Sequence, residues 1–149
     1  PPDPLKGHQL MQKGFFSFAE KGWNPVLIPT PFETPLFFEY LAKAFKEHPD
    51  MSALVATRGN QIVPLLSWVE ARSLSIPDQL SLISLTYEPF MERLLPTITY
   101  YEENQTKTVH KLIRMSRALT AGKNIKSISV IPEIYPGQSV SVRHTPPSA

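Results

Sequence analysis

The residues able to do acid–base chemistry come in two close pairs, Glu88 with Glu92 and Glu102 with Glu103. Paired carboxylates serve general acid–base catalysis when their surroundings push the two acidities apart around one reacting atom. Adjacent side chains on a strand or at a helix end point in different directions, so Glu102 and Glu103 do not converge. Glu103 has a simpler role near a predicted helix start, where negative charge complements the macrodipole. The histidines, His8, His48, His110 and His144, are scattered with no two at metal-ligand spacing, and they read as surface residues. Cysteine is absent, which excludes disulfides and thiolate zinc sites. No Gly-rich phosphate loop, Gly-x-Ser-x-Gly elbow or nucleophile–histidine grouping occurs. The chemistry implied is binding rather than catalysis, with no cofactor.

Lys107, Lys111, Arg114 and Arg117 make one basic face on a predicted helix, whose ordinary role is the solvated side. The formal net charge is only +2, which argues against a dedicated nucleic-acid binder or a polybasic membrane-surface protein. No apolar run approaches the roughly 20 residues that span a bilayer. With 149 residues, 42% hydrophobic and 19% charged, the chain suits one globular domain with a real core.

The elements that must carry these residues are legible from periodicity. Residues 8–21 predict a helix with Met11, Phe15, Phe18 and Ala19 on one stripe and Gly22 as its cap. Val26-Leu27-Ile28, between Pro25 and Pro29, predicts a buried strand. Thr34 at the cap and Pro35 in first helical position start a helix over 34–48, with Phe37, Tyr40, Leu41 and Ala44 inward. Ala53-Leu54-Val55-Ala56 is the next strand, followed by a loop at Thr57-Arg58-Gly59-Asn60. A helix over 60–73 turns Ile62, Leu65, Leu66 and Val69 inward, with Pro64 in its first turn, where the N–H groups lack intrahelical partners anyway. Residues 80–85 and 97–100 predict strands separated by an irregular stretch or short helix. A long helix over 103–120 puts Val109, Leu112, Ile113 and Leu119 on one face and ends at Gly122. Ile128-Ser129-Val130-Ile131 suits a last strand, Val140-Ser141-Val142 an extended piece, and 145–149 a loose end. Helices alternating with continuous apolar strands imply an α/β fold with a mostly parallel sheet, covered by helices on both faces.

Several phrases in order resemble the second lobe of the LacI/GalR transcription regulators. They are Ala53-Leu54-Val55-Ala56, a helix, Ile76-Pro77-Asp78-Gln79-Leu80-Ser81-Leu82-Ile83-Ser84-Leu85, and Pro96-Thr97-Ile98-Thr99 before a long helix. Upstream, Gly14-Phe15 resembles the family's Gly-aromatic pair. Downstream, Pro132-Glu133-Ile134 with Ser139 resembles its closing segment. The resemblance implies a type I periplasmic-binding-protein-like lobe, two such lobes closing around a small effector, usually a sugar or nucleobase. A separate helix-turn-helix domain would bind operator DNA as a homodimer in the cytoplasm. On this reading residues 1–149 are a single lobe, a fragment whose first lobe and DNA-binding domain lie elsewhere. Effector binding would shift the lobe arrangement and with it operator affinity.

The resemblance also implies where the effector sits, namely at strand ends, as the bare α/β reading does. The family's Arg before the Gly-aromatic pair is Met11 here. Phe32 matches its stacking aromatic, with packing of the helix entrance as the other reading. Its Asn-Asp pair becomes Thr57 and Arg58, and its later Asp becomes Thr86. Tyr100 stands where a polar residue ends the third strand. With those carboxylates replaced, the expected effector is not a typical neutral hexose. Arg58 either pairs with an anionic group or is solvated on its loop. Trp68, Tyr87, Phe90 and Met91 lie where family members pack across a two-fold axis, so they are candidates for the dimer interface or, alternatively, caps of the core. A solute-binding protein of a transporter has the same fold and is the competing reading. An α/β enzyme lacks any catalytic grouping.

Overall fold

A computed structural model describes residues 6–17, 24–125 and 130–142. The chain divides into two compact units, 1–50 and 51–149. In the first unit α1 spans Lys6–Phe16 and α2 spans Thr34–Glu47. The predicted helix over 8–21 is helical as far as Phe16, and its remaining residues from Phe18 on, Ala19 included, lie outside the described residues. Met11 and Phe15, expected to face inward, are exposed. α2 buries Phe37, Leu41 and Ala44, three of the four residues read as inward, while Tyr40 is half-buried. Its N-cap is Glu33 rather than Thr34, and no side chain caps it. Val26-Leu27-Ile28 forms no strand. A short apolar run between two prolines does not fix the extended pairing that makes a strand.

The second unit carries one sheet in the order β1-β2-β3-β4, formed by Ala53–Ala56, Ser81–Ser84, Thr99–Glu102 and Glu133–Tyr135. β1 and β2 run parallel, as do β2 and β3, whereas β4 joins β3 antiparallel. The mostly parallel α/β sheet expected from alternation is the one observed. The predicted last strand lies partly outside the described residues at 128–129, and the observed β4 begins later, at Glu133.

β1 leads through a 3-10 turn at Gly59–Gln61 into α3, Ile62–Glu70, which buries Ile62, Leu65, Trp68 and Val69. With Leu54, Ala56, Leu80, Leu82, Met91 and Ile98 these side chains form the unit's core. A second 3-10 turn, Pro89–Arg93, occupies the predicted irregular stretch. α4, Gln105–Thr120, starts where the Asn104 side chain accepts from the Lys107 N–H at 2.9 Å. It stops at Gly122, whose φ of 69° suits glycine. There Gly122 N–H donates to the Leu119 carbonyl and Lys123 N–H to that of Ala118, the paired bonds of a Schellman ending.

The β2–β3 ladder has only two registered pairs, Ile83 with Thr99 and Ser84 with Tyr100. Buried Ser139 fills the gap beside it. Its hydroxyl donates to the Leu82 carbonyl and accepts from Thr99 N–H at 2.8 Å, while its own carbonyl accepts from Leu82 N–H at 2.8 Å. One serine thus satisfies backbone groups of two strands that would otherwise be buried without partners. No helix among the described residues is long and apolar enough to cross a membrane.

Candidate functional site

Parallel strands aim their carboxyl ends at one rim of the sheet, and the loops leaving β1, β2 and β3 meet there. Thr57 and Arg58 leave β1, both exposed. The Gln61 side chain accepts from Arg58 N–H at 3.1 Å, so backbone rather than guanidinium anchors this loop. Thr86 leaves β2, and its hydroxyl accepts from Gly59 N–H at 2.7 Å, tying the first two loops together. Gly59 has no room for a side chain, since a Cβ there would meet the Glu88 and Met91 side chains. Two of the expected contact positions, Thr57 and Thr86, therefore shape the rim, and Thr86 commits its acceptor to doing so.

Tyr100, in β3, is half-buried and lies between two other tyrosines. Its ring is 4.9 Å from that of Tyr87 and 5.3 Å from that of Tyr135, against which it stacks at 11°. The register explains this row, because Tyr135 of antiparallel β4 sits directly opposite Tyr100. Burial, then the charges of Glu102 and Glu92, raise the Tyr100 phenol above its ordinary value. Tyr87 donates to the Glu92 carboxylate at 2.6 Å, and chiefly for that reason its pKa is pushed up to about 12. The phenols of Tyr87 and Tyr100 therefore stay protonated at neutral pH and remain hydrogen-bond donors.

An open pocket of about 620 Å³ lies beside this row, inside the usual range for small-molecule sites. Tyr87 and Glu88 reach it from the loop after β2, Glu102 and Glu103 from the end of β3, Asn104 to Thr106 from the start of α4, and Tyr135 from β4. The lining holds three carboxylates and no cationic side chain. Carboxylates at the start of α4 sit at the positive end of its dipole. Lys107 faces Glu133 instead, at 2.7 Å, and that contact raises its ammonium pKa.

Of the sequence-derived positions, Tyr100 and Thr86 stand at this rim and Thr57 and Arg58 on the adjoining loop, but none of the four lines the pocket. Met11 and Phe32 belong to the other unit. Phe32 is 100% exposed, so it packs no helix entrance. Trp68 and Met91, read as interface candidates, are fully buried in the core, with the Arg72 guanidinium 3.8 Å over the Trp68 ring. Only Tyr87 and Phe90 of that group keep surface. Glu102, Glu103 and Glu88, weighed as catalytic pairs, turn out to line a pocket. Tyr135 was not singled out, because its place depends on a strand pairing across more than thirty residues. The signal that could have found the acids is their position, at the end of β3 for Glu102 and Glu103 and in the loop after β2 for Glu88.

A family profile described as a periplasmic binding protein-like domain matches residues 1–140. Among solved structures the chain resembles a PurR family transcriptional regulator from Vibrio parahaemolyticus, with a TM-score of 0.72 and 22% identity over 90% of this chain and 50% of that one. It also resembles a LacI family transcriptional regulator from Bifidobacterium animalis, with a TM-score of 0.78 and 17% identity over 91% and 51%. A third is a LacI family transcriptional regulator from Arthrobacter in complex with lactose, with a TM-score of 0.70 and 16% identity over 94% and 53%. The chain spans about half the length of these relatives. No relative was found among curated protein sequences.

Proposed function

This chain belongs to the periplasmic binding protein-like domain family, and on that premise we propose that it is the effector-binding lobe of a bacterial DNA-binding transcription regulator. The whole protein has a second lobe and a helix-turn-helix domain, works as a homodimer on operator DNA in the cytoplasm, and catalyses nothing. Effector binding shifts the lobe arrangement and so the operator affinity. Likeness to transcription regulators supports this reading over a transporter's solute-binding protein.

The observation that carries the proposal is the pocket at the carboxyl ends of β2 and β3, where open parallel sheets bind their ligands. Its chemistry selects a hydroxyl-rich small molecule. Ionised carboxylates only accept, and two oxygens can take two neighbouring hydroxyls at once. Tyrosine offers a flat apolar face and a donor at its tip. Glu88, Glu102 and Glu103 thus supply the carboxylates that Thr57 and Thr86 lack. Three negative charges disfavour an anionic ligand in this pocket, so the effector is a neutral or amino sugar rather than a sugar phosphate. Arg58, outside the pocket, is then a solvated loop residue.

Thermal-shift screening of the chain against neutral sugars, amino sugars and sugar phosphates tests this directly. Stabilisation by a neutral or amino sugar, abolished in Glu102→Gln and Tyr135→Ala, is expected. Stabilisation by sugar phosphates alone, lost in Arg58→Ala, contradicts it.

A further inference from the structure

Helix α4 buries none of its side chains. Leu119 is 63% exposed, Leu112 59%, Val109 51% and Ile113 45%. At 3.6 residues per turn these four fall within a sector of about 120° on one side of the helix, which the small polar residues Ser116 and Thr120 share. Thr108, Lys111, Met115 and Ala118 are partly covered and mark the opposite, inward margin. The remaining margin carries Arg114 and Arg117, neither of them ion-paired among the described residues. The helix contains no Asp or Glu at all. An exposed aliphatic stripe is therefore bordered on one side by free guanidinium groups.

Each class of partner meets that face differently. Nucleic acid would satisfy the arginines but would set four aliphatic side chains against a polyanion. A helix lying in an anionic bilayer carries cations across its whole polar face, whereas here one margin of the stripe turns into the protein. A second copy would cover the stripe, yet α4 has no carboxylate to offer the arginines of its twin. What complements both halves is a segment that brings apolar side chains at helical spacing together with Asp or Glu along one edge.

We propose that the outer face of α4 docks an acidic amphipathic helix of a partner protein. Val109, Leu112, Ile113 and Leu119 take its apolar stripe, and Arg114 and Arg117 pair with its carboxylates, bidentately where geometry allows. The pocket reaches only the first turn of α4, at Gln105 and Thr106, and none of the docking residues lines it.

The probe is a fluorescein-labelled synthetic peptide with Leu at helical spacing and Glu along one margin, titrated with the 149-residue chain and followed by anisotropy. Its control has every Glu replaced by Lys. Saturable binding of the acidic peptide alone is expected, weakened at least about tenfold in Arg114→Glu/Arg117→Glu and in Leu112→Ser. Both variants alter exposed positions, and unchanged melting curves establish that they fold. Equal binding of the two peptides, no binding of the acidic one, or binding indifferent to the variants overturns the proposal. So does loss of phosphatidylglycerol-vesicle or duplex-DNA binding in these variants when the acidic peptide fails to bind. Sedimentation showing that the same substitutions split a dimer would assign the face to a second copy instead.

Discussion

Helices α3 and α4 are both amphipathic, yet α3 hides four residues in nine and α4 hides none in sixteen. α3 lies within the crossover that links two parallel strands, β1 and β2, and such a connection lays its apolar side back on the sheet. α4 leads from β3 to an antiparallel strand, β4, and carries no such obligation. Periodicity tells which residues share a face. Whether that face is covered depends on connections that the local pattern does not contain.

The largest effect that sharpens this contrast is Trp68→Ala. Emptying a fully buried indole site costs about 3–5 kcal/mol, whereas Leu112→Ala on α4 stays within about 0.5 kcal/mol. Urea denaturation measures both, and equal losses would mean that α4 is packed like α3. Gly137→Ala comes next, at about 1–3 kcal/mol, because a Cβ there would lie 2.5 Å from the Thr97 carbonyl oxygen and 2.6 Å from the Ile98 carbonyl carbon. These are backbone atoms that cannot swing aside.

Ser139→Ala is expected to cost about 1–3 kcal/mol, as it strips partners from the buried Leu82 carbonyl and Thr99 N–H together. Ser67→Ala, on an exposed hydroxyl that merely bonds back to its own helix, is the control.

The smallest effect is at Tyr87. In the folded chain its phenol titrates near pH 12, and Glu92→Ala returns it toward the ordinary value near 10. Because the folded value is raised, the bond's contribution to stability is fully present below pH 10 and fades as pH climbs through about 12. Ultraviolet difference titration of wild type and variant reads the shift.

Much of the frame was legible before any coordinates. Gly122 ends α4 because its positive φ suits glycine, and the apolar runs at 53–56 and 80–85 place β1 and β2 almost to the residue, whereas the Asn104 cap of α4 was not read. The strand read at 97–100 begins instead at Thr99. Its first residues are engaged elsewhere, with the Thr97 carbonyl accepting from Gln138 N–H at 2.7 Å. A partner forty residues away leaves no local trace. The site divides in the same way. Thr86 and Tyr100 stand at the rim because position at a strand end is a local property, though neither lines the pocket. Tyr135 and the role of the carboxylates were not, since both depend on which loops the sheet order brings together. For Trp68 and Met91 the resemblance left two readings, dimer interface or cap of the core, and their burial fits the second; aromatic or sulfur-bearing side chains suit cores and interfaces equally.

The central claim is that the effector binds beside the tyrosine row at the ends of β2 and β3. Amide NMR of the labelled chain, titrated with a neutral or amino sugar that stabilises it, tests this most directly. The account predicts the largest shift changes at Tyr87, Glu102, Glu103 and Tyr135, with the later turns of α4, from Leu112 to Thr120, silent. Changes confined to Thr57 and Arg58, or scattered away from the pocket, would contradict it.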